Sequence, residues 1–170
     1  IKIEQPGRGD PRRSIPPFAT DSQGRKVAGG YIGYNRNKKS LALNLRAPEG
    51  QQILRELYQI SDVVVENLRP GAMDKQGLGY DKVRAINPRL VYAAISGFGR
   101  LEGYTGPYSD RPAFDIVAEA MSGVMNLVGF ADRPPSWTIY GMADVYSGVA
   151  TAYGVMLALY QRERTGEGQF

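Results

Sequence analysis

The sequence predicts an α/β domain built on a mainly parallel sheet, and two observations support this prediction. From Ser40 onwards, short segments of strand character alternate with segments of helical period. The connections between them are mostly short, as is typical of parallel strands joined by crossover helices. In such sheets ligands bind beyond the carboxyl ends of the strands. The loops after Leu45, Glu66 and Ser96 are therefore the first candidates for a site.

The N-terminal part fits this pattern only at its start. Residues 1–4, Ile-Lys-Ile-Glu, alternate as a strand. Residues 5–30 are rich in proline, glycine and arginine without a sustained period, which predicts a long surface loop. Residues 35–40, Asn-Arg-Asn-Lys-Lys-Ser, then place three cations before a strand, where they contact either a phosphate or only solvent.

The middle of the chain alternates regularly between the two periods. Strands are predicted at residues 40–45, 62–66 and 90–96, of which the last two are short and apolar. A helix is predicted over residues 48–60 behind Pro48, which suits a first turn, and short helices over residues 72–76 and 81–86.

Two helices are predicted in the last third of the chain. The first runs over residues 112–128, with an apolar side that includes Phe114 and Met121, and ends at Gly129. The second runs over residues 144–165 and ends at Gly166. Its middle is nearly all apolar, so we expect it to be buried.

Composition excludes several classes of chemistry. The chain has no cysteine and no histidine, which removes disulfides, thiol nucleophiles, cysteine-ligated metals and the usual catalytic base. A carboxylate, amine, hydroxyl or tyrosine remains as the reactive group. The net charge of +4 suits a phosphorylated cofactor, a nucleic acid or merely a soluble surface. Basic and aromatic residues are not interleaved on one element, which argues against nucleic acid.

Sequence patterns for other cofactors and for membranes are also missing. The chain contains no Walker-type phosphate loop, and Gly77-Leu78-Gly79 lacks the third glycine of a dinucleotide fingerprint. No signal peptide is evident, and no apolar stretch reaches the roughly 20 residues that span a bilayer. We therefore expect a cytoplasmic protein that does not bind a membrane.

The sharpest local motif is the end of the strand at residues 63–66. Val-Val-Val-Glu is followed at once by Asn67, Leu68, Arg69, Pro70 and Gly71, so that a polar turn stands where a ligand would bind. The alternative is a plain turn, in which Asn67 bonds its own backbone and Arg69 lies in solvent.

Asp144 stands where the long apolar helix is predicted to begin. One interpretation is an N-cap aspartate, which contributes about 1 kcal/mol to the helix. The other is a nucleophile, because a helix N-terminus favours the ionised carboxylate. Gly141 and Gly148 leave space for a bulky substrate close to it. The residues alone leave both interpretations open.

Taken together, an ordered set of segments resembles family III coenzyme A transferases of the CaiB/BaiF type, which includes formyl-CoA and carnitine CoA transferases. The resemblance runs through nearly the whole chain. The segments that carry it are Ile-Lys-Ile-Glu at 1–4 with Gly-Asp-Pro at 9–11, Asn-Lys-Lys-Ser at 37–40, Glu-Asn-Leu-Arg-Pro-Gly at 66–71, Asn-Pro-Arg-Leu-Val-Tyr at 87–92, Ser-Gly-Phe-Gly at 96–99, and Arg-Glu-Arg-Thr-Gly-Glu-Gly-Gln at 162–169.

The resemblance implies a CoA transferase that moves CoA from an acyl-CoA donor to a small carboxylic acid. Asp144 would form the covalent aspartyl intermediate, with no metal involved. The fold would be the family's Rossmann-like large domain, of which residues 1–170 form an N-terminal part without the small domain. Family members are homodimers with the active site at the subunit contact. The implied CoA contacts are Leu43, Arg46, Asn67, Leu68, Ala72 and Lys75.

The same superfamily includes α-methylacyl-CoA racemases, which transfer a proton through a histidine in the segment that matches residues 111–115. Phe114 stands at that place, and a transferase is therefore preferred. Because the family chain extends further at both ends, a non-catalytic CoA-binding or assembly module is the other alternative.

Overall fold

The structure is a computed structural model that describes residues 1–139 and 141–170. It divides into two compact units, Ile1–Leu54 and Arg55–Phe170. Each unit contains one parallel strand pair, as the α/β prediction requires.

In the first unit, β1 (Lys2–Glu4) pairs in parallel with β4 (Ser40–Ala42). Strand β4 is shorter than predicted and ends before Leu43, whose buried side chain belongs to the core. The amide of Leu43 donates to the carbonyl of Glu4 at 2.9 Å, which continues the pairing by one bond.

The segment between these strands is more ordered than the predicted long loop. It contains a 3-10 turn (Pro11–Ser14), an antiparallel hairpin of β2 (Phe18–Thr20) and β3 (Lys26–Ala28), and helix α1 (Gly29–Tyr34). The prediction missed these elements because long-range polar contacts hold them together. Arg13 and the Tyr31 hydroxyl both donate to the buried Glu4 carboxylate. The Arg13 guanidinium holds the pKa of Glu4 well below its usual range.

The second unit contains a β-α-β arrangement. Strand β5 (Val63–Glu66) pairs in parallel with β6 (Val91–Ala94), in a register that sets Val63 opposite Val91. Helices α3 (Ala72–Lys75) and α4 (Tyr80–Ile86) lie between these strands in the sequence. Helix α2 (Pro48–Ile60), which has the predicted bounds, contains the division between the units.

Apolar burial and a few side-chain bonds stabilise this second unit. The Tyr58 hydroxyl donates to the carbonyl of Leu78, and the Asn87 amide donates to the carbonyls of Tyr58 and Ser61. Burial raises the pKa of Tyr58 beyond its usual range, so its hydroxyl stays a donor. The buried core side chains of this unit are Tyr58, Met73, Leu78, Val83, Leu90, Val91, Tyr92 and Ala158.

The helix predicted over residues 112–128 is shorter. Helix α5 (Asp115–Ser122) ends at Gly123, which has a φ of +80° in the left-handed region, and a 3-10 turn (Val124–Leu127) follows. The glycine ends the helix earlier than the apolar pattern indicates. Phe114 and Met121, placed on its apolar side by the sequence, are both exposed.

Helix α6 (Met142–Thr165) has nearly the predicted bounds and ends at Gly166. The expectation that it is buried is wrong, because among its residues only Ala158 and Arg162 are buried. Large exposed side chains run along it: Val145, Tyr146, Val149, Tyr153, Met156, Leu157 and Tyr160.

Two further properties of α6 are its apolar length and the contacts of its C-terminal half. By length and mean hydropathy alone it could cross a membrane, contrary to the expectation that no segment does; core helices of soluble proteins share this property. Its C-terminal half is held by Arg162, which donates to the Asp62 carboxylate at 3.0 Å and to the carbonyl of Arg89 at 3.2 Å.

Candidate active site

The segments that follow β5 and β6 line a cavity of about 420 Å³ in the second unit. Residues 67–70 follow β5 and residues 95–97 follow β6, as expected for a ligand site in a parallel sheet. Residues 111–115 with Ala118, and then Ala143, Asp144 and Ser147 at the start of α6, complete the lining. Two of the three loops proposed from the sequence thus line one cavity, and the loop after Leu45 lies in the first unit.

The turn after β5 is shaped by Glu66. Its carboxylate accepts a hydrogen bond from the amide of Leu68 at 2.7 Å. It also forms an ion pair with Arg100, in which the nitrogen and oxygen atoms are 2.6 Å apart. In the plain-turn alternative the side chain of Asn67 bonds the backbone of the turn. In the structure, Glu66, one residue earlier, accepts the bond from the Leu68 amide. Asn67 and Leu68 are both exposed, and both line the cavity.

Gly97 lets two walls of the cavity approach each other closely. A Cβ atom at Gly97 would lie 2.2 Å from the Cβ of Ala113 and 3.2 Å from its Cα. Any side chain at position 97 therefore forces the segment after β6 away from the segment before α5. The glycine is needed for packing here, since its φ is not in the left-handed region.

We expect Gly97→Ala to lower the free energy of unfolding by about 1–3 kcal/mol, because the added methyl overlaps Ala113. Thermal unfolding of the purified variant measures this. Gly106→Ala is the matched control, since a Cβ at Gly106 meets no atom of the described residues beyond its chain neighbours within 4 Å. Equal unfolding temperatures for the two variants would contradict the close approach.

Asp144 lies in the first turn of α6, and the N-cap is Gly141 with a φ of +85°. The interpretation of Asp144 as the N-cap is therefore wrong. Its exposed side chain lines the cavity beside Ala143 and Ser147. Among the described residues beyond its chain neighbours and its own helix backbone, no atom lies within 4 Å of a Cβ built at Gly141 or Gly148, so space is present there.

The acid that caps α6 is Asp115, the first residue of α5. Its carboxylate accepts from the amides of Ala143 at 2.7 Å, Gly141 at 3.1 Å and Asp144 at 3.3 Å. Burial raises the pKa of Asp115, but these amide donors and the Trp137 indole outweigh it and lower the pKa below its usual value. The amides at the start of α6 thus stabilise the charge of Asp115.

A second acid of α5 holds the segment that leads into α6. Glu119, only 1% exposed, accepts from the Thr138 amide at 3.1 Å and from the Thr138 hydroxyl at 2.8 Å through the same oxygen. Sequence reasoning missed both acids as site residues. Their only local signal was an Asp and a Glu one turn apart on a predicted helix, whereas their partners stand 19 to 29 residues later.

The remaining predicted CoA contacts fall in two places. Ala72 and Lys75 are on α3, directly after the turn that lines the cavity; Ala72 is half-buried and Lys75 is exposed. Leu43 and Arg46 are in the first unit, where Leu43 is buried and Arg46 is exposed. Their roles stay predictions.

The charged residues of the cavity wall are two cations and two acids. Arg69 and Arg111 are exposed on it, as is Asp144, whereas Asp115 is buried. Within residues 1–139 and 141–170, no group of three acidic, cysteine or histidine side chains is placed to hold a metal ion. The wall therefore combines cations suited to an anionic ligand with a carboxylate that a ligand can reach.

These features define an α/β domain with a ligand cavity beyond its parallel strands. The model of CoA-transferase family III matches residues 1–170. The chain is 41% identical to succinyl-CoA:mesaconate CoA-transferase of Haloarcula marismortui over 170 residues, which are 100% of this chain and 43% of that protein. It is 43% identical to acetyl-CoA:oxalate CoA-transferase of Acetobacter aceti over 171 residues, covering 99% of this chain and 41% of that protein.

Among solved structures, a CaiB/BaiF family protein from Brucella suis matches with a TM-score of 0.89 and 39% identity, over 98% of this chain and 43% of that one. The chain belongs to CoA-transferase family III. The resemblance and the α/β class inferred from the sequence are confirmed. The chain spans less than half the length of these relatives.

Proposed function

We propose that this chain carries the nucleophile and part of the CoA site of an acyl-CoA:carboxylate CoA transferase. The observation that supports this best is that Asp144 lines the same cavity as Asn67 and Leu68, two of the proposed CoA contacts. Leu43, Arg46, Ala72 and Lys75 are proposed to complete the CoA contacts. Residues 1–170 are proposed to form an N-terminal part of the family's large domain.

In the proposed reaction, an oxygen of the Asp144 carboxylate attacks the carbonyl carbon of the acyl-CoA thioester. The carbon–sulfur bond breaks, which gives a mixed anhydride and CoA thiolate. The thiolate then attacks the aspartyl carbonyl carbon, releases the donor acid as a carboxylate and leaves an aspartyl-CoA thioester. An acceptor carboxylate reverses the two steps, so that acceptor acyl-CoA leaves and Asp144 is regenerated without net change in protons or electrons.

The polar surroundings of Asp144 suit this sequence of steps. Asp115 accepts from the amide of Asp144 and so fixes the first turn that carries the nucleophile. The same carboxylate accepts from the amides of Gly141 and Ala143, which holds the start of α6 next to α5.

We propose dicarboxylic acids as the acceptors of CoA. Mesaconate and oxalate, which appear in the names of the two relatives, each carry two carboxylates. Arg69 and Arg111 on the cavity wall are suited to bind that charge or the phosphates of CoA. A racemase is disfavoured, because Phe114 has no proton to transfer and lies 82% exposed at the cavity.

We further propose a cytoplasmic homodimer that does not bind a membrane. The exposed apolar side chains along α6 form a surface of the kind that marks a protein–protein contact. A second copy of the chain is the proposed occupant, since the family resemblance implies a homodimer. Sedimentation at rising protein concentration tests this: we expect a dimer, and a monomer at all concentrations would contradict it.

The experiment that tests the function is an exchange assay. The protein is incubated with succinyl-CoA and, separately, with mesaconate, oxalate or the monocarboxylate butyrate, and the CoA esters are identified by mass spectrometry. We expect new CoA esters from the dicarboxylates and far less from butyrate. CoA binding without any exchange would identify a non-catalytic CoA-binding module and would overturn the proposal.

A further inference from the structure

Arg100, a residue outside the cavity lining, lies behind the turn that follows β5. Its side chain is 17% exposed, and its Nη2 atom lies 2.6 Å from Oε1 of Glu66. The Glu66 side chain is 8% exposed, so this ion pair is largely withdrawn from water. Truncating one partner of such a pair leaves the other charge buried and uncompensated, which costs far more than the loss of a surface ion pair.

The same carboxylate also holds the turn. Its second oxygen, Oε2, accepts from the amide of Leu68 at 2.7 Å. Arg100 is thus linked through a single carboxylate to the backbone of a residue that lines the cavity. The carbonyl of Glu66 accepts in addition from the amide of Ile95, which ties the ends of the two strands together.

Arg100 has a second partner on α3. Its Nη1 atom lies 3.6 Å from Oδ2 of Asp74, and Asp74 is flanked on this short helix by Met73 and Lys75. The Asp74 side chain is 59% exposed, so this contact is the weaker of the two. Through the two carboxylates, Arg100 connects the turn after β5 with the helix that follows it.

We infer that Arg100 is a positioning residue for CoA binding: through Glu66 and Asp74 it fixes the turn that presents Asn67 and Leu68 to the cavity. This inference rests on the proposed function, because the ligand of the turn is CoA only if that function is correct. Arg100 itself does not contact the ligand, since its guanidinium is engaged by two carboxylates away from the cavity lining.

Binding of CoA to the whole chain tests the inference, with fluorescence of the single tryptophan, Trp137, or calorimetry as the readout. We expect Arg100→Met to raise the Kd for CoA roughly tenfold to a hundredfold, because it removes an ion pair from a largely buried carboxylate. Arg100→Lys should restore part of the affinity. Arg84→Met, which removes an exposed cation of α4, is the matched control and should change the Kd by less than about threefold.

Two further comparisons separate positioning from other roles. Dephospho-CoA lacks one phosphate of CoA. If Arg100 bound that phosphate, Arg100→Met would raise the Kd for dephospho-CoA much less than the Kd for CoA. If Arg100 only positions the turn, the substitution should raise both Kd values by the same factor. If catalysis occurs, the exchange rate at saturating acyl-CoA should stay within about threefold of wild type, because Arg100 acts on binding and not on Asp144.

Glu66→Gln keeps a side chain of the same size and provides a second variant in case Arg100→Met fails to fold. It should weaken CoA binding in the same direction. An unchanged Kd in Arg100→Met or, where that variant fails to fold, in Glu66→Gln, with wild type binding CoA, would overturn the inference and leave the proposed function intact. Failure of wild type to bind CoA would instead overturn the proposed function and the inference together.

Discussion

Asp144→Asn is expected to abolish exchange while leaving CoA binding nearly unchanged. The amide that replaces the carboxylate keeps the size of the side chain but cannot attack a thioester, so the exchange rate should fall roughly 10⁴-fold or more. Asp144 is exposed in the first turn of α6 and is not one of the buried core residues. The unfolding temperature should therefore stay close to that of wild type.

The control for this variant is Asp132→Asn, which changes an exposed acid in the loop before α6. It should exchange CoA as wild type does. A rate for Asp144→Asn within tenfold of wild type would contradict the assignment of Asp144 as the nucleophile. A loss of CoA binding in Asp144→Asn would show a binding role instead.

Asp115→Ala is expected to lower stability and exchange together. It removes the acceptor for the amides of Gly141, Ala143 and Asp144, and loss of such a cap costs about 1–2 kcal/mol. The first turn of α6 then loses its fixed position, and a misplaced nucleophile lowers the rate roughly 10²-fold. Thermal unfolding and the exchange assay measure the two effects.

The stabilisation by Asp115 should depend on pH in one direction. Because its pKa is lower in the folded than in the unfolded protein, the stabilisation is complete above the ordinary aspartate pKa of about 4 and is lost as the pH falls through the folded value. The difference in unfolding free energy between wild type and Asp115→Ala should thus be constant near neutral pH and shrink in acid.

The matched control for Asp115 is Asp81→Ala, since Asp81 is an exposed acid in the first turn of α4. Its removal should cost well under 1 kcal/mol. A difference between Asp115→Ala and wild type that grows as the pH falls below 4 would contradict the capping role.

Local pattern was enough to predict the second unit's strands and most helix bounds. Helix α2 has the predicted bounds, and β5 and β6 lie within the predicted segments, because apolar period and flanking residues act over a few positions. The end of α5 was missed because Gly123, an early left-handed glycine, interrupts an apolar pattern that continues beyond it.

Long-range pairs account for what the sequence did not predict. The hairpin of β2 and β3 and the fold of residues 5–30 depend on contacts such as that of Tyr31 with Glu4, 27 residues apart. The cap of α6 is likewise supplied by Asp115 from another helix. The local sequence at the start of α6 does not show which distant side chain accepts from its amides. The burial of α6 was predicted wrongly because an apolar composition is shared by core helices and by helices that expose an apolar surface.

Mapping the covalent intermediate tests the central claim most directly. The protein is incubated with succinyl-CoA without an acceptor, acid-quenched and analysed intact by mass spectrometry, then digested for peptide sequencing. We predict a gain equal to the mass of CoA less one water, located on Asp144 and absent from Asp144→Asn. An adduct on any other residue, or an unmodified chain that nevertheless exchanges CoA, would contradict it.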